Sequence, residues 1–265
     1  MLLPLRERYE LTLTDVRNTE GDGTEVEGII LADLTIPDRR LPASVPGAGC
    51  CGVAMGLCPA GRAHPGEDFP GWVCQCRHGP TVFTRQHSEE NVARVVVASS
   101  NHAADYYEAL ILDGKMDFVD PNGRALSDNY YGWAKEVYEH LGFVFACGVE
   151  NGRALENVQI RIGGPRETDI ERCELGDLRC MRRALGAYIS ERDMQQLFVK
   201  SIEAEDIRDE NGVPFQIFYG VSGNHHNFWS IANARKVIGY APEDNSELRF
   251  ASWIQKHIAA ATAQS

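Results

Sequence analysis

A tyrosine and a lysine in the middle of the chain have types and spacing suited to proton transfer. They stand four positions apart in the run Tyr131-Gly132-Trp133-Ala134-Lys135, which on an α-helix puts both side chains on one face. A nearby ammonium group favours the phenolate form of tyrosine, so Tyr131 could take a proton from a substrate hydroxyl near neutral pH. Lys135 would tune Tyr131 and could also hold ribose hydroxyls. Taken alone, such a pair is more often a partly buried ring beside a surface charge.

Four polar residues upstream of Tyr131 make the chemical interpretation of the tyrosine and lysine pair more specific. Residues 93–99 form an apolar, β-branched run typical of a buried parallel strand, and Ser99, Ser100, Asn101 and His102 stand at its end. Ligands of open α/β folds bind at the carboxyl ends of strands, so a serine there could steady a reacting oxygen. A histidine beside a strand end is as often a structural residue as a substrate contact. The order of buried strand, Ser-Ser and Tyr-x-x-x-Lys is more specific than either half.

The elements that must position these residues alternate along the chain. Hydrophobic patterns predict strands at 9–15, 27–33, 93–99, 158–163 and 214–221, and helices at 127–147, 191–203, 229–238 and 247–262. Ser127 or Asp128 is available to cap the long helix that carries Tyr131. Strands separated by helices indicate βαβ units, so the sequence predicts an α/β fold with a parallel sheet.

Composition argues against several other classes of protein. The 265-residue chain has a formal net charge of -12 and no basic stripe, so nucleic acid is not an expected partner. Charged residues follow the opening apolar residues too soon for a signal peptide. No run approaches the ~20 apolar residues of a membrane-spanning helix. We therefore expect a cytoplasmic protein without a membrane partner.

Several segments together resemble a known family. They are Ser99-Ser100-Asn101-His102, the Tyr131 to Lys135 motif and residues 160–163, 188–190, 219–224 and 238–246. These segments resemble the extended short-chain dehydrogenases/reductases of the NAD-dependent epimerase/dehydratase group, and uronate dehydrogenases in particular. The resemblance implies a Rossmann-like parallel sheet with flanking helices and a small C-terminal substrate lobe. It divides the chain into an NAD-binding domain over residues 1–163 and a mixed segment over 164–265 that returns elements to the sheet.

The resemblance also implies an activity and a set of site residues. Ser100, Tyr131 and Lys135 would oxidise a sugar or sugar-acid hydroxyl while NAD takes the hydride. The substrate would contact Asn101, His102, Gly164 and Arg183, with Arg183 on a substrate carboxylate. Gly164 stands where uronate dehydrogenases usually carry a serine, and Arg183 lies in a cationic cluster that is more often a solvated helix face.

The predicted cofactor site is incomplete. The resemblance gives NAD the contacts Asp15, Asp33, Leu34, Ser99, Tyr131, Lys135 and Ile162. Asp15 matches the acid that binds ribose and favours NAD over NADP, although a simple turn residue at a strand end is an alternative. No glycine-rich turn precedes Asp15, and the opening residues resemble the end of the first helix. We therefore expect an N-terminally incomplete domain that lacks its first strand and glycine loop.

Residues 41–91 form a second anomaly. They are rich in Cys, Gly, Pro and His, show no legible packed element, and resemble the product of a shifted reading frame. An alternative is zinc on Cys74, Cys76 and His78 with other cysteines or a histidine of this segment, but the spacings do not match a zinc knuckle. Adjacent His225 and His226 point in different directions, so no metal is expected there either.

Two other functions remain open at the level of sequence. A nucleotide-sugar epimerase or dehydratase would use the same Ser, Tyr and Lys, but generally needs a larger C-terminal lobe. A non-catalytic Rossmann-like binding protein would account for the missing glycine loop, but not for the retained catalytic set. By analogy with the family alone, a homodimer through the helix carrying Tyr131 and its neighbouring helix is expected.

Overall fold

The computed structural model describes residues 2–15, 17–19, 23–31, 51–54 and 92–264. Strands β1 (Leu13–Asp15) and β2 (Ile29–Leu31) pair in parallel. Strands β3 (Cys51–Ala54), β4 (Arg94–Ser100), β5 (Glu156–Ile162) and β6 (Phe215–Gly220) form a four-stranded sheet in that order, and all neighbours are parallel. This architecture confirms the predicted α/β class with a parallel sheet.

Helices cover the sheet and carry the chain between strands. Their bounds are α1 Leu2–Arg8, α2 Asp105–Leu112, α3 Tyr130–Cys147, α4 Leu178–Ala187, α5 Glu191–Glu203, α6 Ala232–Ile238, α7 Ser246–Arg249 and α8 Ala251–Gln264. Short 3-10 turns span Asn101–Ala104 and Ile170–Arg172. The prediction of one helix over 247–262 was wrong in detail, because the chain there forms two helices on either side of Phe250.

The hydrophobic core lies on both faces of the sheet. All seven residues of β4 are buried, and Val96 belongs to the larger apolar cluster with Val158, Ile160 and Phe218. Val95 and Val97 point the other way and pack with the cluster that contains Tyr138 of α3. Alternate side chains of a strand face opposite sides of a sheet, which explains why β4 has no exposed side.

Helix α3 begins later than predicted. Asn129, rather than Ser127 or Asp128, caps it, because its Oδ1 accepts a hydrogen bond of 2.9 Å from the backbone N–H of Gly132. Asparagine caps a helix about as well as serine or aspartate. Ser127 instead accepts from the Asn129 N–H at 3.3 Å and supports the turn that leads into the helix.

Some expected features differ or lie outside the described residues. Strand β3 forms within the segment in which no packed element was expected, so that prediction was wrong for residues 51–54. Asp33, Leu34 and residues 55–91 lie outside the described part of the chain, as does the zinc alternative based on Cys74 and Cys76. The division near residue 163 stays a prediction.

Within the described residues, no helix is both long and apolar enough to cross a membrane.

Candidate active site

The end of strand β4 supplies the first part of the site. Ser100 is buried and caps the 3-10 turn that follows, its Oγ accepting a hydrogen bond of 3.3 Å from the backbone N–H of His102. In register, Ser100 pairs with Ile162 at the end of β5. The parallel strands therefore bring Ser100 and Ile162 together at the carboxyl edge of the sheet, where ligands of this fold class bind.

Helix α3 brings the tyrosine and the lysine against that edge. The buried Lys135 donates a hydrogen bond of 3.0 Å from Nζ to the carbonyl oxygen of Ala98, which lies two residues before Ser100 in β4. The same Nζ lies 5.7 Å from the centre of the Tyr131 ring. The edge of the His102 ring meets that ring at a centroid distance of 5.5 Å. The structure thus gathers residues that the sequence separates.

A glycine permits this close approach. A Cβ added to Gly132 would overlap the carbonyl oxygen of His102 and the side chain of Ser127. Any larger residue at position 132 would push α3 away from the turn that follows Ser100. The glycine within the Tyr131 motif is therefore a packing requirement.

Asp105 ties the turn and the helix together. Its Oδ2 lies 2.6 Å from Nδ1 of His102 and accepts a hydrogen bond of 2.7 Å from Nδ2 of Asn129, the cap of α3. The carboxylate thereby fixes the orientation of the His102 ring against Tyr131. Sequence reasoning missed Asp105, although its position three residues after His102 at the start of a helix was an available signal.

One helical turn after Lys135, Glu139 forms a buried ion pair with Arg161 of β5. Glu139 receives hydrogen bonds from Arg161 Nε at 2.9 Å and Nη2 at 2.7 Å, and from Ser99 Oγ at 2.6 Å. Arg161 also donates to the hydroxyl of Tyr219 at 2.9 Å. Burial opposes the charged form of Arg161, but the contacts with Glu139 and Tyr219 outweigh burial and raise the pKa of the guanidinium. Burial also raises the pKa of the Tyr219 hydroxyl, to about 12. The Ser99 hydroxyl is thus engaged with Glu139.

A cavity of about 780 Å³ opens beside this centre. His102 lines it together with Asp105, Glu108 and Asp128 on one side. The other side consists of residues from the segment 166–184, among them the following: Arg166, Asp169, Arg172, Cys173, Arg179, Cys180 and Arg183. Cys173 and Cys180 are joined by a disulfide, which links this wall to α4. The cavity has the volume of a small-ligand site, and its lining is mainly charged.

Arg183 lines the cavity, as expected of a substrate residue, but it is paired there. Its Nε lies 3.2 Å from both carboxylate oxygens of Glu108. Burial raises the pKa of Glu108, Arg183 lowers it, and the neighbouring Asp105 raises it again, with a net upward shift. Neither this pair nor helix α4, which carries Arg183, was anticipated from the sequence.

The remaining predicted residues have different surroundings. Asn101 is buried, its Nδ2 has no hydrogen-bond partner among the described residues, and it is not part of the cavity lining. Gly164 donates from its N–H to the carbonyl of Ala187 at 2.6 Å, and a Cβ there would lie 3.0 Å from Asp169 Oδ2. Asp15 ends β1 and accepts from the backbone N–H of Arg17 at 3.1 Å, the contact of a turn residue.

The adjacent histidines have carboxylate contacts. The backbone N–H groups of His225 and His226 donate to Glu247 at 3.0 and 2.8 Å. Across the described residues, no group of three His, Cys, Asp or Glu side chains is arranged to hold a metal ion.

Sequence comparison relates the chain to sugar dehydrogenases. It is 30% identical over 169 residues to the NAD-dependent glucose-6-phosphate dehydrogenase of Haloferax volcanii, a match that covers 58% of this chain and 55% of the relative. It is 28% identical over 159 residues to the uronate dehydrogenase of Pseudomonas syringae pv. tomato, covering 59% of this chain and 47% of the relative. The chain is therefore similar in sequence to dehydrogenases of sugars and sugar acids over about three fifths of its length.

The fold of a solved sugar-acid dehydrogenase extends over most of the chain. The crystal structure of glucuronic acid dehydrogenase from Chromohalobacter salexigens superposes with a TM-score of 0.66 at 20% identity, covering 92% of this chain and 79% of that chain. No family model matches the sequence. The chain spans about half the length of the curated relatives it matches.

Proposed function

We propose that the protein is an NAD-dependent oxidoreductase that oxidises a hydroxyl group of a sugar or sugar acid, with Tyr131 as general base. The observation that carries the proposal is the convergence of Ser100, Tyr131 and Lys135 at the carboxyl edge of β4, beside a polar cavity. The names of the matched relatives, which act on glucose 6-phosphate and uronates, support the same reaction class.

In this proposal each residue has one task. Ser100 holds the reacting oxygen of the substrate, and the Tyr131 phenolate takes the proton from that hydroxyl. The ammonium of Lys135, anchored on Ala98 and close to the Tyr131 ring, favours the phenolate. His102, held by Asp105, orients the sugar from the cavity side. A carbonyl forms at the oxidised carbon.

Two of the described residues, Asp15 and Lys135, have the chemistry to hold the ribose groups of NAD. NAD, when bound, supplies the acceptor for the hydride that leaves the substrate carbon. Asp15 offers an exposed carboxylate at the end of β1, the type of group that binds ribose hydroxyls, and Lys135 lies beside Tyr131. Ile162 lies at the neighbouring strand end. Since the Ser99 hydroxyl already donates to Glu139, any contact from Ser99 would come from its backbone.

A titration with NAD and an assay of NADH formation test the proposal. The purified chain should bind NAD by calorimetry and form NADH with at least one of galacturonate, glucuronate or uncharged aldoses. Tyr131→Phe should lower the turnover rate by about 100-fold or more, because the general base is lost. Tyr130→Phe, the same change at the exposed neighbouring tyrosine, is the matched control and should keep the rate.

Two results would count against the proposal. Absence of NAD binding would favour a non-catalytic binding protein, and full activity in Tyr131→Phe would remove Tyr131 as the base.

We further propose a cytoplasmic location, for which the cysteine pair gives an independent check. Disulfides are rare in that compartment, so recovery of Cys173 and Cys180 as the bonded pair of the structure, when thiols are trapped in cells, would contradict this location.

A further inference from the structure

The cavity beside Tyr131 presents charge pairs to a ligand. Glu108 faces Arg183, with both carboxylate oxygens 3.2 Å from Nε. The other arginines of the lining are also paired with carboxylates: Arg179 with Asp113 at 2.6 Å, Arg166 with Asp169 at 3.1 Å and Arg172 with Asp169 at 3.5 Å. Arg166 and Arg172 share the single carboxylate of Asp169, whereas Arg179 and Arg183 each contact a carboxylate of their own.

Glu108 is held where it competes with a substrate for Arg183. It lies on α2, one turn after Asp105, and both residues line the cavity with His102. The side chains of Glu108 and Arg183 are 20% and 28% exposed, so the pair is shielded from water yet open to the cavity. His102 in turn contacts the Tyr131 ring. The Glu108–Arg183 pair thus lies within the wall that a sugar bound at Tyr131 would face.

A sugar carboxylate would fit this pair poorly. To reach Arg183 it must displace Glu108 or lie beside it, and Asp105 adds a second negative group close by. Like charges in a partly buried site disfavour each other strongly. A sugar hydroxyl meets no such conflict, because it can donate to the Glu108 carboxylate and accept from the Arg183 guanidinium at the same time.

We propose that Glu108 is a specificity-determining residue that neutralises Arg183 and selects an uncharged aldose over the corresponding sugar acid. This inference rests on the proposed function, because it concerns the substrate of the same site. It reverses the expectation that Arg183 binds a substrate carboxylate. The charge state of one cavity wall decides the substrate class.

The test compares galactose with galacturonate, which differ at the carbon that carries the carboxylate. The wild-type chain should form NADH with a higher kcat/KM for galactose. Glu108→Gln keeps the shape of the side chain and releases the Arg183 charge, so the galacturonate-to-galactose ratio of kcat/KM should rise about tenfold or more. Adding Arg183→Gln to that variant should remove the gain.

A remote pair supplies the control. Glu243→Gln makes the same substitution in an exposed pair with Arg192 that does not line the cavity, and it should leave the ratio unchanged. Circular dichroism would verify that each variant is folded. A wild-type preference for galacturonate, or an unchanged ratio in Glu108→Gln, would overturn the inference.

Sugar binding separates this inference from the proposed function. Saturation-transfer NMR measures binding of both sugars without turnover. If no NADH forms, but galactose binds in preference and Glu108→Gln reverses the order, the proposed activity fails while the role of Glu108 holds. If neither sugar binds, the role of Glu108 is overturned as well.

Discussion

Glu139 carries the charge that joins helix α3 to the sheet. It receives hydrogen bonds from Arg161 of β5 and Ser99 of β4, and the exposed fractions of the Glu139 and Arg161 side chains are 4% and 1%. Removing one member of such a pair leaves the other charged and buried, which typically costs about 3–5 kcal/mol. We predict that Glu139→Gln lowers the free energy of unfolding by about 3 kcal/mol, measured by urea denaturation.

An exposed ion pair gives the comparison for that residue. Asp206→Asn removes the partner of Arg208 at the surface, where water solvates both charges, and should leave stability unchanged. If the free energy of unfolding fell equally in the two variants, burial of the Glu139–Arg161 pair would not be the cause of the loss in Glu139→Gln. The sequence held a signal for Glu139, because it follows Lys135 by one helical turn and therefore shares its face.

At the scale of elements, Gly132 sets how closely α3 approaches the turn after β4. Because a Cβ there would overlap the carbonyl of His102, Gly132→Ala should shift α3 and separate Tyr131 from Ser100. We predict a loss of about 1–3 kcal/mol in stability, the usual cost of overpacking. The rate of NADH formation, corrected for any unfolded fraction, should fall at least as far as it does in Tyr131→Phe. His140→Ala, at an exposed position of the same helix, should change neither quantity.

How far the sequence determines these elements differs from segment to segment. Strands β4, β5 and β6 and helix α5 were predictable, because the strands are short runs rich in apolar residues and α5 begins at Glu191 as expected, with Ser190 as its cap. Helix α4 was missed, although Asp177 caps it and Leu178, Met181 and Leu185 recur at helical spacing. The Glu108–Arg183 pair could not be predicted, since it joins residues 75 positions apart through the packing of two unanticipated helices.

At the scale of the whole molecule, α3 also presents an apolar face away from the sheet. Tyr130, Trp133, Val137 and Val144 are 57%, 38%, 36% and 40% exposed and recur at helical spacing. Contiguous exposed apolar surface of this kind marks association sites. We predict that two copies of the chain pair through this face as a homodimer.

Sedimentation velocity at micromolar concentration tests the dimer. Replacing Val137 and Val144 by glutamate places two charges on the face in each copy, and the like charges should convert the dimer to a monomer. Leu248→Glu introduces a charge at another exposed apolar residue, on α7, and should leave the dimer intact. A wild-type chain that sediments as a monomer would contradict the pairing. A dimer that persists in the double variant would show that the interface lies on another surface, away from this face of the helix that carries Tyr131.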